Sequence, residues 1–278
     1  MNNIIHKYLN YIIIISLSIF SFIITIYFGF IGVNPFDNFA SYHAAFENLN
    51  GKVPFRDYWE AHGPLLDFIQ VAFFKIFGIS WLSYTLHAAT INLLFTIIFY
   101  YVLRNFGLDR LYSLFYSLSL SVISNTQAGT PYYDIHAIIF SLIGLLLTFL
   151  SVKNHSRLLI FFVPLIFLCA FLIKQTPSIY LAFLIVITII YDCIATKKYS
   201  NIIYIFFGFL FSLVIFFTSI KLLNIRFEDF YYQYIKFASS IGTERINSDS
   251  FIFPINFSRY FIKYKLMHLA YFVMLFVL

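Results

Sequence analysis

The sequence predicts an all-α protein: a polytopic bundle of about seven or eight transmembrane helices, with two amphipathic helices lying in the membrane interface. Three observations predict it. The chain is 61% hydrophobic and only 11% charged, with a mean hydropathy of +0.85. An average soluble domain is about 25% charged, and a globule that must face much of itself to water has no place for so much apolar side chain. Apolar runs of span length recur along the chain, and roughly 20 such residues cross the hydrocarbon as a helix. Basic residues gather in short connections between the runs, at Lys7, at Arg104 and Arg110, at Lys153 and Arg157, and at Lys197 and Lys198. Positive-inside logic puts these connections, and with them the N-terminus, in the cytoplasm.

The first run, 9–33, carries no charge. It is longer than the apolar core of a signal peptide, roughly 7–15 residues, and has no Ala-x-Ala end. It therefore reads as an uncleaved anchor. Further spans are expected at 80–103, 111–124, 135–152, 158–173, 178–195 and 201–221, of which 111–124 and 158–173 are short. Segments 34–79, 125–134, 174–177 and 222–265 then face the opposite side. The last stretch, "LMHLAYFVMLFVL", is too short to span and reads as an interrupted run, so the chain is expected to belong to a longer protein. Residues 1–278 are read as one transmembrane domain, without internal repeats or a soluble module.

The net charge of +6 follows from the connecting loops and is not a nucleic-acid signature. Cys169 and Cys193 lie in apolar runs and read as buried, inert thiols. There is no Walker loop, dinucleotide fingerprint or His–Cys metal spacing, which argues against a nucleotide-driven pump and against a soluble-type nucleotide-sugar transferase. No metal and no cofactor is expected.

The segment 34–79 is the informative one. In "NPFDNFASYHAAFENLNG", Asn34 suits an N-cap, Pro35 the first helical position and Asn50-Gly51 the stop. Phe36, Phe39, Ala40, His43, Phe46 and Leu49 form a stripe, with Asp37, Ser41 and Asn48 off it. A second helix is expected from Pro64 to Gly78, burying Leu65, Ile69, Phe73 and Ile76 and keeping Asp67, Gln70 and Lys75 toward water. Half-apolar helices of this kind lie in the interface plane. Between them, "GKVPFRDYWEAHGPLLD" concentrates Lys52, Arg56, Asp57, Glu60, Asp67 and His62 at headgroup depth.

The pattern D-x-x-x-x-Y-x-x-A, followed by "GKVPFRDYWEAHGPLL" and "FFKIFG", resembles the GT-C superfamily of membrane glycosyltransferases, notably the protein O-mannosyltransferases and lipid A aminoarabinose transferases. The likeness covers about residues 30–180 and is best over 34–79. It implies an inverting transfer of a sugar from a polyprenyl-phosphate donor to a glycan, lipid or protein acceptor, on the extracytoplasmic side of the plasma (inner) membrane. It also implies a general base in the first outer loop, which matches Asp37. The family often has Asp-Glu there, whereas this chain has Asp37-Asn38. The family's Glu-Lys-Pro-like element reads Glu60-Ala61-His62-Gly63-Pro64, with His62 in place of lysine. Asp134 matches an acid of the second outer loop, and Lys174-Gln175 a Lys-Gln-Thr element.

Such a transfer needs a base at the acceptor, cations or donors at the leaving phosphate, and an aligned sugar. Asp37 and Asp134 are therefore the candidate catalytic residues. Arg56, Asp57, Glu60, His62, Lys174 and Gln175 are the candidate substrate-binding residues. Each has a plainer reading: Asp37 and Asp134 also suit helix starts, Arg56 and Asp57 can simply pair, and Lys174 can snorkel. His43 reads as packed, and Tyr58 and Trp59 as belt aromatics. Arg226, Tyr231, Tyr232, Lys236, Glu244 and Arg245 mark 222–265 as a candidate acceptor or headgroup surface. A non-enzymatic transporter or flippase for lipid-linked sugars is the alternative, and a polymerase-like or acyl-transfer enzyme a third possibility.

Overall fold

The structure, a computed structural model, describes residues 2–32, 38–125, 129–197 and 200–241. Asp37 lies outside them, as do Asn34, Pro35, Phe36, Glu244, Arg245 and the terminal apolar run. The chain falls into two units, 1–230 and 231–278. The second begins with a π-helical turn, Tyr231–Lys236, in which the Lys236 ammonium lies 4.6 Å from the centre of the Tyr232 ring.

The first unit is helical, with an isolated bridge between Pro54 and Tyr58 in its first long loop. Its helices are α1 (Asn2–Ile31), α2 (Asn38–Leu49), α3 (Leu65–Phe77), α4 (Trp81–Asn105), α5 (Arg110–Ile123), α6 (Tyr133–Asn154), α7 (Arg157–Phe171), α8 (Gln175–Thr196), α9 (Ser200–Leu222) and the short α10 (Phe227–Phe230). Among the described residues, α1, α4, α6, α8 and α9 each hold a stretch long and apolar enough to cross a membrane. These match the expected long runs, and α5 and α7 are the two short ones. α1 packs antiparallel on α4, with the Trp81 Nε1–H at the start of α4 donating to the Gly29 carbonyl near the end of α1 at 2.8 Å. α6, α7, α8 and α9 form the other side of the bundle.

The two helices of the first long loop form where expected, but turned about their axes. Along α3 the buried residues are Leu66, Asp67, Gln70 and Phe74, and Ile76 is 72% exposed. Along α2, Ser41, Ala44 and Ala45 are buried, whereas His43, Phe39 and Phe46 are exposed. The expected burial is corrected on both. A helix on a bundle that lipid surrounds can leave its apolar face outward at no cost, and turns small and polar groups toward partners inside.

α5 has 14 residues, about 21 Å of helix, less than a hydrocarbon layer of roughly 30 Å. Its end therefore needs partners for its last carbonyls. Asn92 of α4 supplies one, donating through Nδ2 to the Ser121 carbonyl at 2.9 Å and to the Thr25 hydroxyl at 2.8 Å. The Ser124 hydroxyl donates back to Asn92 Oδ1 at 2.6 Å. Asn92→Leu is expected to destabilise the protein by about 2 kcal/mol, because it removes three hydrogen bonds that tie α4 to α1 and to the end of α5. Thermal unfolding in detergent measures it. A little further on, Gly129 adopts φ +59° against the end of α1, where a Cβ would come 2.1 Å from the Gly29 nitrogen. Only glycine fits that crossing.

Candidate functional site

Three helix starts, those of α3, α6 and α8, meet at one end of the bundle, and each lacks a capping side chain. Backbone bonds stitch two of them together. The Gly63 N–H donates to the Ile173 carbonyl at 2.9 Å and the Leu65 N–H to the Leu172 carbonyl at 3.1 Å. The Gln175 amide reaches the Ala61 carbonyl at 3.4 Å. An ion pair joins the third start, with Lys174 Nζ 2.6 Å from Asp134 Oδ2. Lys174 stands at the N-cap of α8, where a cation adds to the positive end of the helix dipole. Asp134, in the first turn of α6, meets that field with the favourable sign. Three helix N-termini thus aim their positive ends at one corner, where the Lys174 charge is matched by Asp134.

His62 lies in this corner. Its ring stacks on that of Tyr133, with centroids 4.2 Å apart and planes at 12°. Glu60, 7% exposed, folds back to accept the His62 backbone N–H at 2.8 Å, with its carboxylate 3.6 Å from His62 Nδ1. Behind them the Tyr133 hydroxyl donates to Asp67 Oδ1 at 2.7 Å. Asp67 is fully buried, and its Oδ2 has no hydrogen-bond partner among the described residues. The Ser41 hydroxyl lies beside that carboxyl outside hydrogen-bond geometry. Burial, with the Glu60 charge nearby, pushes the Asp67 carboxyl well above the usual carboxylate range, and the Tyr133 bond pulls it part of the way back.

The buried polar group continues inward. One turn along α3 from Asp67, the Gln70 Oε1 lies 2.9 Å from His87 Nδ1. The His87 ring meets that of His136 at 5.2 Å, edge to face. His136 stands one turn along α6 from Tyr133, which closes a ring of five side chains on three helices. Gln70, His87 and His136 are fully buried. Gln70 Nε2 and both imidazole Nε2 atoms are unpartnered among the described residues. No role is expected for Tyr133, His87 and His136 from the sequence, and Asp67 and Gln70, expected toward water, are buried instead. Two spacings could have found them: Asp67 with Gln70, and Tyr133 with His136, each three residues apart on one helix face. A histidine in a greasy span is itself a functional signal.

Of the sequence candidates, Glu60, His62, Asp134, Lys174 and Gln175 come together. Arg56 and Asp57 pair with each other. The guanidinium donates through Nε to Asp57 Oδ1 at 3.0 Å and through Nη2 to Oδ2 at 2.7 Å, and its Nη1 reaches the Leu223 carbonyl at 3.1 Å. Asp57 also accepts the Val53 N–H at 2.8 Å. The Arg56 guanidinium and that N–H hold the Asp57 carboxyl below the usual range. The pair braces a tight loop in which the buried Phe55 takes a left-handed φ of 66°. Beside this loop runs an apolar groove of about 340 Å³, lined by Phe55, Pro64, Leu65, Leu172, Phe216 and Phe230 among others. Pro64 and Leu65 start α3, and Leu172, in the turn before α8, accepts the Leu65 N–H, so groove and polar corner share a wall. Among the described residues, no three His, Cys, Asp or Glu side chains come together so that they could hold a metal ion.

A scan of protein-family models and searches of curated proteins and of solved structures return no match to the chain.

Proposed function

We propose that the chain is an inverting glycosyltransferase, moving a sugar from a polyprenyl-phosphate donor to an extracytoplasmic acceptor, with Asp37 as general base. One observation carries the reading: a polar corner holding Lys174, His62 and three helix N-termini shares a wall with an apolar groove. That combination suits a substrate with an anionic head and an apolar tail. Lys174 and His62 would face the leaving phosphate, with Glu60 and Gln175 fixing the segment that carries His62. Asp134 holds Lys174 and borders the sugar. Arg56 and Asp57 act through the loop they brace, which forms one side of the groove. With the basic connections in the cytoplasm, the corner lies at the outer face of the plasma membrane.

The test is transfer from a lipid-linked sugar in detergent. Asp37→Asn is expected to lose about 100-fold or more in rate, as loss of a general base does. Full activity in a correctly inserted Asp37→Asn protein would remove Asp37 from the assignment.

The buried Asp67, His87 and His136 favour a second reading, a transporter or flippase for the same lipid-linked sugars, since such proteins keep ionisable groups inside the bundle. His87, however, lies only about 9 Å along α4 from Trp81, and His136 about 5 Å along α6. That depth suits the floor of a surface site better than a midplane gate. Turnover in detergent, where no gradient exists, supports the enzyme. Movement of lipid-linked sugar across proteoliposomes, without turnover in detergent, supports the transporter.

A further inference from the structure

We infer that the buried Asp67–Tyr133 pair positions His62, holding its imidazole with one edge toward the anionic head of the donor. The inference rests on the glycosyl-transfer reading for what His62 meets, but the positioning stands on geometry alone.

His62 has no helix to hold it. It lies in an irregular segment just before α3, and its side chain is 39% exposed. Among the described residues, two contacts fix its ring. The Glu60 carboxylate holds the backbone N–H and stands beside Nδ1, and the Tyr133 ring covers one face in near-parallel stacking. An aromatic ring is a good platform only if it cannot turn. Tyr133 is clamped by its hydroxyl, which donates to a carboxylate oxygen that is itself immobile on the inner face of α3. The groups facing His62 are therefore Glu60 from its own segment and Tyr133 from α6, with Asp67 of α3 behind that ring. Asp134, which follows Tyr133 on α6, is paired with Lys174 at the start of α8. A carboxyl so deeply buried is costly to keep, and tethering one phenol is the one hydrogen bond it makes among the described residues.

Neither Asp67 nor Tyr133 touches the donor in this account, so their replacement acts through His62. Sugar transfer in detergent micelles, read across pH 5 to 9, tests it. Tyr133→Phe keeps the ring and removes its anchor, and is expected to raise the donor KM about five-fold with kcat within about two-fold. Asp67→Leu is expected to do the same. Asp67→Asn, which still accepts the Tyr133 hydroxyl, is expected to stay within about two-fold of the parent in both constants. Equal losses in Asp67→Asn and Asp67→Leu, or a Tyr133→Phe protein with parental KM and pH profile, would overturn the inference. A second measurement needs no activity. Tyr133→Leu uncovers the imidazole, so modification of His62 by diethylpyrocarbonate, read by peptide mass spectrometry, should rise several-fold. An unchanged rate in folded protein overturns the positioning role. If the parent transfers no sugar, the function proposed above fails, and the modification rate alone decides whether Tyr133 holds His62.

Discussion

Gly63→Ala is expected to abolish the proposed sugar transfer and to cost about 3 kcal/mol or more in stability, a larger effect than any loss of a surface charge in the same loop. A Cβ at this position would lie 1.8 Å from the Leu172 oxygen and 2.7 Å from the Ile173 nitrogen. Both are backbone atoms of the turn between α7 and α8, and neither can rotate away. The same approach carries the two bonds that stitch α3 to α8. Any shift that relieves the clash lengthens them, and Lys174 follows in the next residue. Thermal unfolding in detergent and transfer activity should therefore fall together. A Gly63→Ala protein that melts like the parent would mean that the two helix starts are joined by something other than this crossing.

A second large effect concerns pH. Asp67 holds its proton more tightly in the folded protein than in the unfolded chain, because burial and the nearby Glu60 disfavour its charge. At this group the folded state thus binds more protons, so its share of the stability falls as pH rises. Its contribution is complete below the ordinary carboxylate value of about 4 and is lost on the way up to the raised one. Asp67→Asn removes the titration while keeping the bond to Tyr133, so its melting temperature is expected to vary less across that window. Asp67→Leu removes both, strands the Tyr133 hydroxyl, and is expected to cost about 1–3 kcal/mol at low pH, where the parent carries its full stability, and less as pH rises. If the parent gained stability on raising pH through this range and Asp67→Asn did not, the sign assigned to Asp67 would be wrong.

The helices were legible because their signals are local. Long apolar runs and the glycine after α3 bound most of the elements to within a few residues, although α1 begins at Asn2, seven residues ahead of the expected run. The orientation of α2 and α3 was not legible, because periodicity gives a face and not what the face meets. Ile76 and Phe39 make the stripes that a water-facing protein would bury, and here they point away from the bundle. Once lipid is the solvent, the informative residues on such helices are the polar ones, and Asp67 and Gln70 were read with the wrong sign for that reason. The convergence of Lys174 on Asp134 was accessible only as two separate expectations. They are forty residues apart, and the pair exists because α6 and α8 start side by side.

The short α5 has a consequence for the membrane itself. α4 extends about 37 Å and α5 about 21 Å, and α5 turns Leu111, Tyr112, Phe115 and Ile123 outward. A bilayer thick enough for one flank is too thick for the other. Were α5 to cross the bilayer, lipid beside it would thin or polar ends would be drawn inward, at a fraction of a kcal/mol per Å. On that condition the protein carries a thin edge, along which short-chain lipids would collect.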